Sequence, residues 1–117
     1  MAHTAVDASE IELTNGTIRT VRAALGVRSF GINQFELPPN ASGYEHSESE
    51  SHQDEVYVIV AGSGKLTVEG DEIELHPGRF VYVSPEETRR MDAGPDGLTW
   101  VAVGAPHDTP YEARGFF

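Results

Sequence analysis

The sequence contains no cysteine among its 117 residues. This absence excludes a disulfide framework, a catalytic thiolate and a metal site built from thiolates. Long apolar runs are missing too: no stretch approaches the length of a membrane-spanning helix, and the N-terminus lacks the basic start and apolar run of a signal peptide. We therefore expect a soluble, cytoplasmic protein.

Basic residues are scarce. The chain has 8 lysines and arginines against 19 aspartates and glutamates, a formal net charge of −11, and its one lysine is Lys65. Binding to nucleic acid requires a basic patch that displaces counterions, and an anionic membrane attracts the same kind of patch. The composition therefore predicts neither a nucleic-acid partner nor a membrane partner. The acidic surface either promotes solubility or reflects adaptation to high salt.

A helical pattern of useful length is also absent. Apolar residues instead recur at every second position between turn residues, which predicts an all-β protein. Residues 1–16 resemble a tail or an edge strand, and residues 17–25 are β-rich or mixed. The glycine-containing segments 62–64 and 94–97 are predicted to separate strands. The main predicted strands cover residues 27–37, 44–48, 55–61, 65–68, 71–75, 79–83, 88–91 and 98–103.

The number and spacing of these strands predict one barrel or sandwich over residues 1–117. A chain of this length can bury one hydrophobic core but not two. No internal repeat or low-complexity linker divides it. We therefore expect a single domain.

Two segments of the sequence resemble the motifs of the cupin family. Residues 43–48 (GYEHSE) and 55–62 (EVYVIVAG) are similar to the first motif, in which a His-x-His pair precedes a Glu, six residues and a Gly. Residues 75–85 (LHPGRFVYVSP) are similar to the second motif, in which a Pro-Gly turn leads through a hydrophobic strand to a proline. A hairpin signal at Gly70 lies between the two motifs, in the correct order.

The resemblance covers about residues 27–103 and implies a double-stranded β-helix, or jelly-roll barrel, for that core. Residues 1–25 would then form an N-terminal strand or tail, and residues 104–117 a C-terminal tail. In this family the paired histidines, the glutamate and a third histidine form an open metal site inside the barrel.

This sequence keeps only part of that ligand set. His46 and Glu55 occupy the family's positions, whereas Glu48 replaces the second histidine. Because residues i and i+2 of a strand face the same side, His46 and Glu48 are expected to point together. The resemblance thus implies a possible site formed by His46, Glu48 and Glu55, with Gln53 or His52 as a supplementary ligand. A mixed nitrogen and oxygen set suits Mn, Fe, Ni or Zn.

Arginine stands where the third histidine is expected. A guanidinium is always charged and cannot coordinate a metal ion, so it opposes the metal interpretation. Arg89 and Arg90 are consecutive and face opposite sides of a strand, and the register of the family selects Arg89 as the inward one. There it would pair with Glu48 and Glu55, or bind a carboxylate or phosphate of a ligand.

Two functions remain open, besides a weaker third in which the barrel is only an interaction scaffold. In the first, a metal-free or weakly metal-binding cupin holds a small anionic or polyhydroxylated molecule. In the second, a metal-dependent oxygenase or isomerase uses one carboxylate as general base. The sequence names no substrate and does not decide whether the protein is an enzyme. The predicted ligand contacts are His46, Glu48, Gln53, Glu55, Tyr57 and Arg89.

Other side chains are expected to have ordinary roles. His52 is predicted to be a solvated loop residue and His76 a surface residue, and His3 and His107 lie in terminal segments without a motif. The aromatic residues are predicted to form the core, with one or two of them lining a pocket. These aromatic residues are Tyr57, Phe80, Tyr82 and Trp100.

We also expect a homodimer, because an open barrel of this size leaves strand edges that need to be covered. The N-terminal stretch or the aromatic tail 111–117 would cross to the partner.

Overall fold

Antiparallel strands make up most of the computed structural model, which describes residues 3–117. The predicted N-terminal tail therefore begins with two residues that lie outside the described part. None of the helices in the described part is long and apolar enough to span a membrane. The elements in chain order are a 3-10 turn (Ala8–Glu10), β1 (Leu13–Thr14), β2 (Ile18–Arg19), α1 (Val21–Leu25), β3 (Gly31–Leu37), β4 (Gln53–Val68), β5 (Asp71–Leu75), β6 (Phe80–Val83) and β7 (Arg89–Pro106).

The two long strands β4 and β7 form the frame of the barrel. They pair from Gln53 opposite Pro106 to Val68 opposite Arg89. Strand β7 also pairs with β3, and β2 and β1 continue the sheet on that side. On its other edge β4 pairs with β6 along its first half and with β5 along its second half. This arrangement brings the start of β4 and the start of β7 to the same interior.

Side chains alternate between an inner and an outer face along these strands. Tyr57 and Ile59 of β4 and Trp100 and Ala102 of β7 are buried, whereas their neighbours in sequence are more exposed. A period of two is what the pleat of a strand imposes. The buried core consists of Leu37, Tyr57, Ile59, Leu66, Val68, Leu75, Val83, Met91, Leu98, Trp100 and Ala102.

The hairpin predicted at Gly70 is confirmed. Val68 pairs with Asp71, so the loop consists of Glu69 and Gly70, whose φ angles are 48° and 87°. Two consecutive positive φ angles are typical of the tight turn whose twist matches that of the flanking strands. Strand β5 therefore starts and ends where the sequence predicts.

The strand breaks predicted at residues 62–64 and 94–97 are wrong. Both segments lie within long strands, and the pairing of β4 with β7 shifts register between Gly62 and Gly64. A Cβ atom at Gly62 would collide with the carbonyl oxygen of Gly97, and one at Gly64 with that of Asp92. These glycines allow two backbones to approach closely at a bulge and do not end a strand.

One further segment differs from the prediction, and another is mixed as the sequence predicts. Residues 44–48 form no strand, because their backbone bonds to the start of β7 are irregularly spaced and leave His46 and Arg89 as a single bridge. Residues 17–25 contain β2 and the short helix α1, which ends at Gly26 with a left-handed φ of 76°. A glycine in this conformation is a common helix terminator.

Two of the four aromatic residues predicted for the core lie outside it. Phe80 and Tyr82 are 69% and 55% exposed. The alternation along β6 turns Val81 and Val83 inward instead, where they pack against the core. Tyr57 and Trp100 are buried as expected.

Candidate functional site

A cavity of about 650 Å³ lies against the inner faces of β3, β4 and β7, with the β1–β2 hairpin at its rim. Most of its wall is apolar. The rings of Phe35 and Trp100 stack there, with centroids 5.2 Å apart and planes within 7° of parallel. The apolar lining side chains are Ile18, Phe35, Leu37, Pro38, Ala41, Met91, Trp100 and Ala102.

Two polar side chains of the lining, Glu55 and Tyr57, form a cluster around Arg89, which is 1% exposed. Its Nη2 donates to Glu55 Oε1 at 2.8 Å, and its Nε donates to Tyr57 Oη at 3.1 Å. Its Nη1 donates to the backbone carbonyls of Ser84 and Glu87. Four of the five guanidinium N–H groups therefore have partners within the chain.

The orientation of this cluster follows from the strand pleat. Arg90, the next residue of β7, points outward and pairs with Asp92 at 3.2 Å. The structure therefore places Arg89 inside the barrel, as the register of the family implies. Glu55 and Tyr57 lie two residues apart in β4 and so share its inner face.

Tyr57 is a further member of the cluster around Arg89. Its hydroxyl donates to Glu55 Oε1 at 2.6 Å while it accepts from Arg89. Burial, followed by the negative charge of Glu55, raises the pKa of Tyr57, so the hydroxyl keeps its proton. Oε1 of Glu55 thus accepts two hydrogen bonds, whereas its Oε2 has no hydrogen-bond partner in the described part of the chain.

His46 lines the cavity beside Glu55, and Glu48 lies next to His46, outside the cavity lining. His46 Nε2 is 3.3 Å from Glu48 Oε2 and 4.0 Å from Glu55 Oε1. One ligand atom from each of the three residues lies within 4.8 Å of the other two. Within residues 3–117 this is the one group of three metal-ligating side chains that is close enough to hold an ion.

The donor set fits a divalent ion in number and chemical type, since one imidazole nitrogen and two carboxylates suit Mn, Fe or Zn. Hydrogen bonds also orient both carboxylates: Ser51 donates to Glu48 Oε1 at 2.8 Å, and Tyr57 and Arg89 donate to Glu55. The guanidinium, however, places a fixed positive charge 2.8 Å from a ligand oxygen. An ion at this site would therefore be repelled by Arg89.

The structure does not bring Gln53 and His52 to the cavity. The side chain of Gln53 lies over Gly104, where its Oε1 would be 2.6 Å from an added Cβ atom. His52 has a left-handed φ of 52° that interrupts the alternation before β4, and its ring pairs with Glu86 and Asp108.

His107, to which the sequence analysis assigns no role, belongs to a second group on the outer face. Its Nδ1 lies 2.8 Å from Asp54 Oδ1, which also accepts from the hydroxyl of Tyr82. The bond between them lowers the pKa of Asp54 and raises the pKa of His107. The ring of His107 meets that of His52 edge-on at 5.2 Å. This group ties the end of β7 to β4 and β6.

Most residues of the apolar wall were not predicted from the sequence. Phe35 and Met91 are ordinary apolar residues in their segments, and no motif contains them. In the structure, the register between β3 and β7 places Phe35 opposite Trp100. The sequence does not show this register. Alternation predicts the inner face of each strand but not which residues of two strands meet.

Replacing Arg89 with methionine is expected to destabilise the protein by about 3 kcal/mol, because it leaves Glu55 and Tyr57 buried without their partner. Replacing Arg90 with methionine is the matched control. It removes the pair with Asp92 on the outer face, in which Arg90 is 41% and Asp92 16% exposed, and such a pair is worth about 1 kcal/mol or less. Urea unfolding of both variants measures the difference. Equal losses in the two variants would show that the inner ion pair does not hold the cluster together.

Comparisons with known proteins agree with this architecture. The cupin domain family model matches residues 33–104. A cupin protein from Bacteroides fragilis superimposes with a TM-score of 0.81 at 18% identity, over 97% of this chain and 92% of that one. A Cupin 2 conserved barrel domain protein from Salinispora arenicola superimposes with a TM-score of 0.71 at 20% identity, over 92% of this chain and 91% of that one.

A sugar phosphate isomerase of the cupin superfamily from Silicibacter pomeroyi gives a TM-score of 0.67 at 23% identity, over 75% of this chain but 57% of that one. At these identities the likeness shows the fold alone. No curated protein matches the sequence. The family match spans more than half of the chain, and the structural neighbours share its barrel, which confirms the predicted fold. The chain therefore belongs to the cupin domain family.

Proposed function

We propose that this cupin binds a small molecule in the barrel cavity and does not require a metal ion to do so. The observation that carries the proposal is a cavity of about 650 Å³ with an apolar wall and one polar cluster. Sites for small ligands commonly have volumes of roughly 300 to 1,000 Å³ and combine an apolar lining with a few converging polar groups.

The polar cluster is organised without any ligand. Arg89 holds Glu55 and Tyr57 through hydrogen bonds of 2.8 and 3.1 Å. The stacked rings of Phe35 and Trp100 restrict each other in the same way. A site that is ordered in advance loses little conformational entropy when its ligand arrives, which favours binding.

A metal-dependent enzyme is the second candidate function. It is supported by the closeness of His46, Glu48 and Glu55 and by the sugar phosphate isomerase among the structural neighbours. The imidazole and the two carboxylates would hold the ion. When bound, the ion would act as a Lewis acid that polarises an oxygen atom of a substrate. The repulsion from Arg89 is the reason for ranking this candidate second.

The protein is also proposed to form a homodimer, and the outer face of the sheet supports this. Here side chains of β6, β4, β7 and β3, all apolar except Gln34, stand in two cross-strand rows, and Phe80 and Tyr82 at one end of them are 69% and 55% exposed. An exposed apolar face of this kind often marks a protein interface. The rows are Tyr82, Val56, Val103 and Ile32, and Phe80, Val58, Val101 and Gln34.

The cavity can be tested with the neutral apolar dye N-phenyl-1-naphthylamine. Trp100 is the one tryptophan of the sequence and lines the cavity, so energy transfer from its ring to the dye reports binding there. Replacing Ala102 with leucine narrows the cavity and is expected to weaken dye binding by about tenfold or more, or about 1.4 kcal/mol.

Replacing Ala105 with leucine is the control, because this residue lies in the same strand on the outer face. The dye affinity of the Ala105 variant should stay within about twofold of that of the unchanged protein. This change is much smaller than the tenfold loss, about 1.4 kcal/mol, expected for the Ala102 variant. Circular dichroism checks that both variants fold. If the dye does not bind, or if both leucine variants weaken it equally, the proposed cavity site is wrong.

The metal candidate predicts one ion per chain after incubation with Mn²⁺, Fe²⁺, Ni²⁺ or Zn²⁺ and removal of the excess. Elemental analysis of untagged protein gives the count. Replacing His46 with alanine should abolish metal retention, because it removes the one nitrogen ligand. Replacing His76, which lies in an exposed turn, with alanine should leave metal retention unchanged. Failure to retain any of the four ions would exclude this candidate and leave the metal-free one.

The dimer proposal predicts the mass of two chains in sedimentation velocity. Association should strengthen with salt, because each chain carries a net charge of −11 and salt screens the repulsion between copies. Replacing Phe80 with serine should dissociate the dimer, whereas the same change at Tyr111, 74% exposed in the C-terminal tail, should not. Monomers at all salt concentrations would contradict the proposal, and dissociation by the Tyr111 change alone would move the interface to the tail.

A further inference from the structure

We propose that the cavity selects a ligand whose polar end donates hydrogen bonds: a protonated amine on an aromatic or aliphatic body, in preference to a carboxylate or phosphate. The inference rests on the proposed function, since it names the class of ligand for the same cavity. It differs from the anionic ligand, one of the two classes expected from the sequence beside a polyhydroxylated molecule, and the reason lies in which polar atoms are still free.

Arg89 has little capacity left for an anion. Its Nε and both N–H groups of Nη1 donate to Tyr57, Ser84 and Glu87, and one N–H of Nη2 donates to Glu55. One N–H group remains, so the guanidinium cannot offer the paired donors that hold a carboxylate or phosphate in the bidentate manner. Rotating it toward a ligand would break these internal bonds.

Tyr57 is not a free donor either, because its hydroxyl already donates to Glu55 Oε1, 2.6 Å away. The atom that remains available in this part of the cluster is an acceptor, Glu55 Oε2. Ser42, another lining side chain, acts as a donor that lowers the pKa of Asp92. Around Arg89 the free polar atom is therefore an acceptor, whereas the lining donors Asn15 and Thr17 belong to the β1–β2 hairpin at the rim.

The charge balance favours the same class of ligand. Glu48 and Glu55 bring two negative charges, and Arg89 brings one positive charge. The His46 ring lies between the two carboxylates, with Nε2 3.3 Å from one and 4.0 Å from the other. An ammonium group would be attracted by these carboxylates, whereas an anion would be repelled by them, in a site partly shielded from water where such interactions are strong.

The apolar wall accounts for the rest of the ligand. The stacked pair of Phe35 and Trp100 and the side chain of Met91 form a surface suited to a ring or a branched aliphatic chain. Aromatic rings near a cationic group also attract it through their π faces. The net charge of −11 on the whole chain raises the local concentration of cations further.

The test compares three compounds that share one phenyl ring: phenethylamine, 2-phenylethanol and 3-phenylpropionate. Calorimetry and quenching of Trp100 fluorescence measure their dissociation constants, in buffer with a chelator near neutral pH. The amine should bind at least about tenfold tighter than the carboxylate, with the alcohol between them, and this difference should shrink as salt rises.

Replacing Glu55 with glutamine keeps an oxygen acceptor for Arg89 and Tyr57 but removes the charge. It should reduce the amine's affinity about tenfold and leave that of the alcohol nearly unchanged. If the Glu55 variant does not fold, replacing Glu48 with glutamine provides a second variant in which one negative charge is removed and the affinity for the amine is measured. Replacing Glu45 with glutamine is the control and should change nothing. Glu45 is exposed and outside the lining, and Glu48, also outside it, differs in lying 3.3 Å from the lining residue His46.

The inference is overturned if the amine binds no tighter than the carboxylate, which includes the case in which neither binds. It is also overturned if the preference survives in the variants of both Glu55 and Glu48. Binding of N-phenyl-1-naphthylamine separates this failure from that of the proposed function. If the dye binds without an amine preference, the cavity stands and the ligand class is wrong; if the dye does not bind, the cavity site itself fails.

Discussion

The ion pair between Arg89 and Glu55 is the interaction on which the candidate site depends. It joins the start of β7 to the start of β4 across the interior, with Nη2 and Oε1 2.8 Å apart. Burying a guanidinium is costly unless its donors are satisfied, and here two side chains and two backbone carbonyls satisfy four of its five N–H groups. The pair therefore fixes both the orientation of Glu55 and the proton of Tyr57, and it leaves Oε2 of Glu55, a residue of the cavity lining, without an internal partner in the described part of the chain.

The long pairing of β4 with β7 is what makes this ion pair possible. Glu55 stands opposite Gly104, and Arg89 lies at the other end of the same ladder, opposite Val68. The two residues meet only because the sheet curves around the interior. Bulges at Gly62 and Gly64, where the backbones of β4 and β7 nearly touch, provide part of this curvature. The barrel and the site thus depend on the same glycines.

The sequence predicted the fold well and the site in part, for physical reasons that differ. Alternation and turn residues determine strands such as β5 and the turn at Gly70, because they act over a few neighbouring residues. Strand register is a long-range property, so the stacking of Phe35 on Trp100 could not be foreseen. A glycine that ends a strand and a glycine that permits a bulge also look alike in sequence. Hence the breaks at 62–64 and 94–97 were predicted where the strands continue.

The replacement of a histidine by Arg89 changes how the carboxylate of Glu55 is held. In the ligand set that the family resemblance implies, a metal ion would neutralise and orient this carboxylate. Here the guanidinium of Arg89, which is part of the chain itself, does both. A chelator cannot remove its charge, and a change of pH near neutrality does not alter it. Oε1 is committed to that internal cation, and Oε2 is left for a ligand. A barrel that carries its own cation in this way is suited to binding a hydrogen-bond donor beside it.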